Sequence, residues 1–342
     1  MPELKMEAKD VASYLQRRLE APDLTVESLT RFPRGVSRET WFVETKYSED
    51  GPRQEKGFVI RRDLPGRSIC TSTLRFEYEI FNRLYPTEVP VAKALWYEDN
   101  PEWSIDGRDL YMRELVPGTW DVPHFTDPDP RYDDLRIEAS KEHVRKLAAI
   151  HRLDWDALGF GELTDAPPDP ASCALTAIDR LEGKLKEVQI EPLPVVAEAI
   201  GWLRENAPRN ASAISLLKGN NGLGEEIWVD GKIVAMSDWE LASLGDPAYD
   251  FAWCQGFRGV VVEGKWDFQS LLDYYEEVSG IHIDQASVGY YGLIQALEGV
   301  VFTHNASIPV VEQENLLARL CWVSTEVHHT MTAGLARGAG VL

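Results

Sequence analysis

The sequence predicts an α+β protein with two lobes, a small strand-rich one followed by a larger helical one. Short apolar stretches with strand-like patterns occupy much of the chain between residues 28 and 116. From residue 140 onward helical periodicity dominates, and a hairpin pattern around Asp230-Gly231 interrupts it. The stretch "VPGT", from Val116 to Thr119, has the composition of a hinge. We therefore expect a first lobe over residues 1–115 and a second over residues 116–342.

The first lobe is predicted to begin with a helix and to continue as a sheet with a second helix. The segment "AKDVASYLQRRLE" carries its apolar residues at helical spacing. Strands are expected in "SLTRF" and "TWFVETKY", which flank a turn containing Gly35, and in "GFVIRR". The segment "STLRFEYEIFNRLY" predicts an amphipathic helix, and "VAKALWYED" and "RDLYMRELV" predict two more strands.

The second lobe is predicted to be mostly helical. Helical periodicity is clear in "SKEHVRKLAAIHRLD", "LTAIDRLEGKLKEV" and "PVVAEAIGWLRENA". The stretch "EEIWVDGKIVAMSDW" predicts a hairpin, because apolar residues lie on both sides of an Asp-Gly turn. The remainder, from "FQSLLDYYEEVSG" to "VEQENLLARLCWVSTEVHHTMTAG", is predicted to be helical again.

The charge balance limits the expected partners. The chain of 342 residues has a formal net charge of −21, so it repels nucleic acid and anionic membranes, and we expect neither as a partner. An anionic ligand would need a local cation or a metal ion. The charged start "MPELKMEAKD" lacks the apolar core of a secretory signal, and four scattered cysteines predict free thiols. We therefore expect a cytoplasmic protein, and nothing in the sequence indicates its oligomeric state.

Four motifs follow one another along the chain in a characteristic order. A glycine turn lies in "GVSRETWFVET", a strand ending in arginines in "FVIRRDLPG", a helix with a glutamate in "FEYEIF", and the acid that follows the hairpin in "SDWELASLGDPAYDFAW". On these residues the chain resembles the aminoglycoside phosphotransferase and choline kinase-like family, which has a protein-kinase-like fold. It is most similar to a branch related to the kinase-like domain of some acyl-CoA dehydrogenases. The resemblance extends from about Leu29 to Phe302 and implies ATP and Mg²⁺ as cofactors.

The resemblance implies a nucleotide site in the first lobe. Gly35 would allow the backbone to approach phosphate oxygens, and Ser37 and Thr40 would donate hydrogen bonds to them. Arg61 stands where kinases carry a strand lysine that binds the α- and β-phosphates, and Glu77 would hold it in place. Arg62 is the alternative cation.

The same resemblance implies a metal site and a catalytic loop in the second lobe. Asp238 matches the metal-binding acid after the hairpin, and Asp250 matches an acid that supports the catalytic loop from beneath. The family pattern in that loop is His-Gly-Asp, with an Asn five residues after the Asp. Here Lys218 takes the His position, Asn220 the Asp position and Glu225 the Asn position.

This departure leaves two interpretations open. Either the site is silent and the fold is a pseudokinase that binds a ligand or a protein, or the site is rearranged and active. The family's three positions hold two carboxylates, and Asn220, Glu225 and Asp238 also hold two. Because phosphoryl transfer depends more on charge neutralisation than on a base, we favour an active site. Asn220, Lys218 and Glu225 are then the catalytic residues, and Asp238 and Glu225 the metal ligands. Lys218 would place a cation near the transferring phosphoryl group, or would only pair with Glu225 or Glu226.

The acceptor is predicted to be the hydroxyl of a small apolar alcohol. Aromatic residues are frequent around the expected acceptor site, namely Trp228, Trp253, Phe257, Tyr290, Tyr291 and Phe302. The resemblance to the acyl-CoA dehydrogenase branch favours lipid-like or terpenoid alcohols. A phosphate ester on a tertiary or allylic carbon is a good leaving group, so transfer could also drive a dehydration. Accumulation of a phosphorylated product without any alkene would exclude the dehydration.

Overall fold

A computed structural model of the chain describes residues 6–32, 37–48, 51–64, 70–221, 224–256, 261–312 and 318–342. A small antiparallel sheet with two helices precedes a larger helical part, as predicted. The strands are β1 (Thr25–Arg31), β2 (Arg38–Ser48), β3 (Arg53–Asp63), β4 (Ala94–Glu98), β5 (Leu110–Glu114), β6 (Ser215–Leu217), β7 (Glu226–Val229), β8 (Lys232–Met236) and β9 (Ser243–Gly245). The helices are α1 (Ala8–Arg18), α2 (Leu74–Leu84), α3 (Asp133–His151), α4 (Cys173–Val188), α5 (Pro194–Glu205), α6 (Ala248–Gly256), α7 (Phe268–Ser279), α8 (Gln285–Val311), α9 (Ala318–Trp322) and α10 (His328–Gly338).

The first five strands form one antiparallel sheet in the order β1-β2-β3-β5-β4. Helix α1 packs against this sheet, because the buried side of the helix, with Val11 and Leu15, joins a core cluster that includes Val43 and Ile60. Helix α2 begins at the N-cap Thr73, whose hydroxyl accepts a hydrogen bond from the Phe76 amide. Its buried residues join the main core of the chain.

The register between β2, β3 and β5 decides which side chains share a face of the sheet. Thr40 lies opposite Arg61, and Arg61 lies opposite Tyr111. Directly opposed residues in an antiparallel pair project to the same face, and successive residues project to opposite faces. Thr40 and Arg61 therefore project together, and Arg62 projects to the opposite face.

The second lobe surrounds a long, largely buried helix, α8, which packs against α4, α6 and α10. The predicted hairpin forms as β7 and β8, joined by a turn at Asp230 and Gly231. Both turn residues have positive φ, of 48° and 73°, as a two-residue hairpin turn of this type requires. The backbone of Trp228 in the hairpin pairs with that of Thr119, which ties the predicted hinge to the second lobe.

Three features of the second lobe were not predicted. The three-residue strands β6 and β9 pair with each other, α3 begins at Asp133 rather than near residue 140, and a π-helical turn spans Val323–Val327 between α9 and α10. Gly35 and Phe257 lie outside the described residues. In the described part of the chain, no helix combines the length and hydropathy needed to cross a bilayer. As expected, none of the four cysteines, all of which lie in described segments, forms a disulfide.

Candidate active site

A cleft of about 470 Å³ brings together side chains from both parts of the fold. Its lining includes Ser37, Thr40 and Arg61 from the sheet side, and Asn220, Glu225 and Asp238 from the second lobe. These six residues are separated by up to about 200 positions in the sequence, and all six are among the candidates that the sequence proposed. Of the remaining candidates in the described residues, Glu77 and Lys218 lie outside the cleft lining.

Arg61 lies in the cleft and contacts Glu77 on α2. The two side chains approach to 3.2 Å, and Arg61 also donates a hydrogen bond of 2.7 Å to the Thr40 hydroxyl. Burial favours the neutral form of Glu77, but the charges of Arg61 and Arg38 prevail and lower its pKa. Glu77 is therefore a carboxylate that fixes the position of Arg61 from behind.

Arg38 is a second buried arginine that the sequence reasoning missed. It donates to Glu77 and to Asp63, both at 3.0 Å, and to the carbonyl of Ser72 at 2.6 Å. A signal was present, because Arg38 precedes Thr40 by two residues and so projects to the same face of the sheet. Arg38 thereby connects the sheet to α2.

Arg62 does not enter the cleft. It projects to the other face of the sheet, where it pairs with Glu39 at 2.9 Å and with Asp106 at 2.6 Å. Strand alternation alone separates it from Arg61. The geometry therefore leaves Arg61, and not Arg62, as the cation of the predicted pair.

Glu240 is the contact point between the two sides of the cleft. Its carboxylate accepts a hydrogen bond of 2.8 Å from Ser37 and lies 3.4 Å from Arg61. Burial, followed by the negative charge of Asp238, raises the pKa of Glu240 to about 7. Sequence reasoning did not select Glu240, because its partners lie about 180 and 200 residues away in the chain.

Asp250 holds the predicted catalytic loop around Lys218 and Gly219 in place, as the family resemblance implied. The carboxylate accepts hydrogen bonds from the backbone amides of Lys218, at 2.8 Å, and Gly219, at 2.9 Å. His151 Nε2 lies 2.9 Å from the same carboxylate, and its Nδ1 lies 2.7 Å from the hydroxyl of Tyr275. Because a carboxylate only accepts, Nε2 carries the imidazole proton and Nδ1 accepts from the tyrosine.

The backbone of the loop requires a glycine at Gly219. Its φ is 78°, and an added Cβ would collide with the backbone carbonyl of Leu241. The neighbouring Lys218 is fully buried, with its ammonium bonded to the carbonyl of Asn220 and 5.5 Å from the ring centroid of Trp239. This placement argues against the expectation that Lys218 meets the transferring phosphoryl group, and it gives the ammonium a part in shaping the loop.

Asn220, Asp238 and Glu225 lie together along one wall of the cleft, where Asp238 also comes within 3.7 Å of Arg61. The Asn220 amide donates a hydrogen bond to the Asp238 carboxylate. Asp238 has a φ of 62°, an uncommon backbone conformation for a residue other than glycine. Burial, followed by the charge of Asp238, raises the pKa of Glu225 to about 7. Two acids and one amide therefore share this wall.

One part of the cleft, called here its far end, is lined by α6, α8 and residues 327–331 and is largely apolar. Trp253 and Phe302, both predicted near the acceptor, line it together with Val327 and Met331. The remaining predicted aromatics in the described residues, Trp228, Tyr290 and Tyr291, belong to the core instead. The polar lining at this end comes from Gln295, Glu298 and Thr303 on α8, which the sequence reasoning did not identify.

Comparison with known proteins supports this fold assignment. Acyl-CoA dehydrogenase family member 11 of Rattus norvegicus is 22 % identical over 262 residues, which cover 74 % of this chain and 31 % of that protein. The chain thus spans about a third of that relative's length. Acyl-CoA dehydrogenase family member 10 of Mus musculus is 26 % identical over 234 residues, or 66 % of this chain and 20 % of that protein.

A solved structure extends the likeness to the whole chain. A putative aminoglycoside phosphotransferase from Ralstonia eutropha aligns with a TM-score of 0.67 and 22 % identity, covering 98 % of this chain and 99 % of that one. This likeness confirms the predicted protein-kinase-like fold. The family model described as the phosphotransferase enzyme family matches residues 28–286, which is most of the chain. The chain therefore belongs to the phosphotransferase enzyme family.

Proposed function

We propose that this protein transfers the γ-phosphoryl group of ATP to the hydroxyl of a small apolar alcohol, with Mg²⁺ as the metal ion. The observation that carries the proposal is the shared cleft, in which Thr40 and Arg61 face Asn220, Glu225 and Asp238. Such an arrangement offers hydrogen-bond donors to a polyphosphate on one side and carboxylates to a metal on the other.

The acids present suit Mg²⁺. Among the described residues, no three His, Cys, Asp or Glu side chains converge into a metal cage. Mg²⁺ in phosphoryl-transfer sites is typically bound by only one or two carboxylates, with phosphate oxygens and water completing the octahedron. Asp238 and Glu225 would hold it here, and a bound Mg²⁺ would neutralise charge on the phosphates.

Asn220 would position the acceptor hydroxyl. Its amide NH₂ faces the Asp238 carboxylate, so its amide oxygen is left to accept a hydrogen bond from the acceptor O–H. The hydroxyl oxygen then attacks the γ-phosphorus, the bond to the β,γ-bridging oxygen breaks, and ADP leaves. Because the transition state is loose, the hydroxyl proton can leave to water after the new bond has begun to form, and no strong base is needed.

The other loop residues would act through position rather than contact. Asp250 fixes the backbone of Lys218 and Gly219, and the buried Lys218 ammonium fixes the carbonyl of Asn220. We assign Lys218 a positioning role on this basis. Arg61, held by Glu77, would bind phosphate oxygens together with the hydroxyls of Ser37 and Thr40.

The apolar end of the cleft supports an apolar acceptor. Trp253, Phe302, Val327 and Met331 offer surface to a hydrocarbon body, and the cleft volume of about 470 Å³ is within the usual range for small-molecule sites. A tertiary or allylic alcohol could react further, since its phosphate ester can lose phosphate and a proton from the adjacent carbon to give an alkene.

The test is turnover with a panel of apolar alcohols, followed by ADP release and mass spectrometry of the products. We expect ADP in step with either a phosphate ester or an alkene plus inorganic phosphate, and a large loss of rate in Glu225→Gln. Nucleotide binding without turnover on any acceptor would instead favour the silent pseudokinase. A phosphate ester that accumulates without any alkene would exclude the dehydration.

A further inference from the structure

Arg113 is a cation in the cleft that has no charged partner. It lies on β5 and lines the cleft, yet it makes no hydrogen bond or ion pair with any residue of the described segments. Its Nε atom is buried and unpaired. Its guanidinium carbon lies 5.0 Å from the centroid of the Phe81 ring. A stacked guanidinium keeps its N–H donors free to bind a ligand at the edges of its plane.

The second arginine of the cleft is in the opposite situation. Arg61 lies 3.2 Å from Glu77, 3.4 Å from Glu240 and 3.7 Å from Asp238. It also donates to Thr40. Three carboxylates therefore already balance the charge of Arg61, whereas no carboxylate of the described residues contacts Arg113. An incoming anion gains more from Arg113, because there it replaces no existing ion pair.

The sheet places Arg113 next to Arg61 and Thr40, the residues predicted to bind phosphate. Arg113 lies opposite Val59, and Arg61 lies opposite Tyr111 two residues away on the same strand pair. Arg113 therefore projects to the same face as Arg61, one step along the pleat, which is about 7 Å. Phe81 follows Glu77 by one helical turn on α2, so both arginines meet the same side of that helix.

The local electrostatics agree with this placement. Burial, together with the positive charge of Arg61, lowers the pKa of Arg113, although Glu77 and Asp238 act in the opposite direction. Arg113 is half-buried, and a cation that is partly removed from water without a contacting carboxylate is costly to the free protein. That cost would be relieved by a polyanion seated between the sheet and Asp238.

We propose that Arg113 is a second phosphate-binding residue, which donates to phosphate oxygens of the bound nucleotide alongside Arg61. The proposal rests on the proposed nucleotide-dependent function. Guanidinium groups bind phosphate bidentately, and the five donors of Arg113 are uncommitted within the described residues. Arg113 lies within the stretch "LYMRE", and the sequence of that stretch alone predicts only a strand.

The test is calorimetric titration of adenosine, AMP, ADP and ATP, with Mg²⁺, into the wild type and Arg113→Met. Methionine retains an unbranched apolar side chain over Phe81 and removes the donors. We expect adenosine affinity to stay within about twofold, and ADP and ATP affinity to fall by roughly tenfold to a hundredfold. Arg131→Met is the control, since it removes the same charge from an exposed arginine that is not among the residues lining the cleft.

A second readout uses the protein without nucleotide. Because Arg113→Met removes a half-buried cation that no carboxylate of the described residues contacts, the melting temperature of the free variant should equal or exceed that of the wild type. A fall of several degrees would show a structural role and overturn the proposal.

Two further results of the titration would overturn the proposal. One is unchanged ADP and ATP affinity in Arg113→Met. The other is an equal loss for adenosine, which would place Arg113 at the base. A wild type that binds no nucleotide would overturn the proposed function as well. Binding by the wild type with unchanged affinity in the variant would overturn this inference alone.

Discussion

Replacing Asp250 by asparagine should destabilise the protein strongly, although the two side chains have nearly the same shape. Asp250 is fully buried and accepts hydrogen bonds from the amides of Lys218 and Gly219 and from His151. An asparagine can accept with only one of its two terminal atoms. In either orientation its NH₂ group would face a donor that has no other acceptor.

The magnitude follows from these contacts. Leaving one buried donor unsatisfied costs about 1–3 kcal/mol, and losing the carboxylate charge weakens each remaining bond by about 1 kcal/mol. The expected loss in the free energy of unfolding is therefore about 3–5 kcal/mol. With an unfolding entropy near 2.1 cal/mol/K per residue, a chain of 342 residues gives about 0.7 kcal/mol/K, or a drop in Tm of roughly 4–7 °C.

Thermal and urea unfolding followed by circular dichroism measure this loss. Asp246→Asn is the matched control, because Asp246 is also a buried acid and lies only four residues before Asp250. Its carboxylate accepts a hydrogen bond from the Ala248 amide, and the side-chain oxygen of an asparagine can accept the same bond. Burial already raises the pKa of Asp246, so we expect that control to cost no more than about 1 kcal/mol. A Tm of Asp250→Asn within 1 °C of the wild type would refute the reasoning, as would equal losses in the two variants.

Two further substitutions test the loop and the acceptor end. Gly219→Ala should lower stability by more than about 2 kcal/mol in urea unfolding, because alanine is strained at positive φ and its Cβ meets the Leu241 carbonyl. Gly231→Ala, at a similar φ with open space around it, should cost less, and equal costs would contradict this account. Burial raises the pKa of Glu298, so the folded state holds that proton more tightly than the unfolded state and stability falls as pH rises above about 4.5. Urea unfolding between pH 5 and 8 should show that the free energy of unfolding declines less with pH in Glu298→Gln than in the wild type. Identical pH slopes in the two proteins would contradict a raised pKa of Glu298 in the folded state.

The sequence was sufficient to predict the two lobes and several of the residues that line the cleft. Strand alternation and helical period predicted β2, β3, α2 and the hairpin, because each buries one face against a core. The order of the motifs along the chain predicted four of the residues that line the cleft, namely Thr40, Arg61, Asn220 and Asp238. Motif order is informative because this fold brings the same positions of the chain together in one cleft. The pairing of Asp250 with the loop was found in the same way.

The residues that sequence reasoning missed depend on contacts between distant segments. Glu240 meets Ser37 across the cleft, and Arg113 is notable only because its guanidinium has no hydrogen-bond partner among the described residues. Neither property has a local signature in the chain. Lys218 was selected from the sequence, but the structure places it differently from the expectation. A lysine in a predicted catalytic loop suggests contact with phosphate, whereas this side chain is directed into the core against Trp239.

The central claim, a nucleotide site that depends on a metal ion, is tested most directly by the thermal shift of the wild type and Asp238→Asn with ATP and Mg²⁺. Asparagine tolerates the positive φ of residue 238, so the variant should fold and lose only the carboxylate. At about 100 times its Kd, the nucleotide should add roughly 2.7 kcal/mol to the stability of the wild type. We predict a Mg²⁺-dependent rise in Tm that disappears in Asp238→Asn. No rise in the wild type at millimolar nucleotide, or an equal rise in both proteins, would contradict the claim.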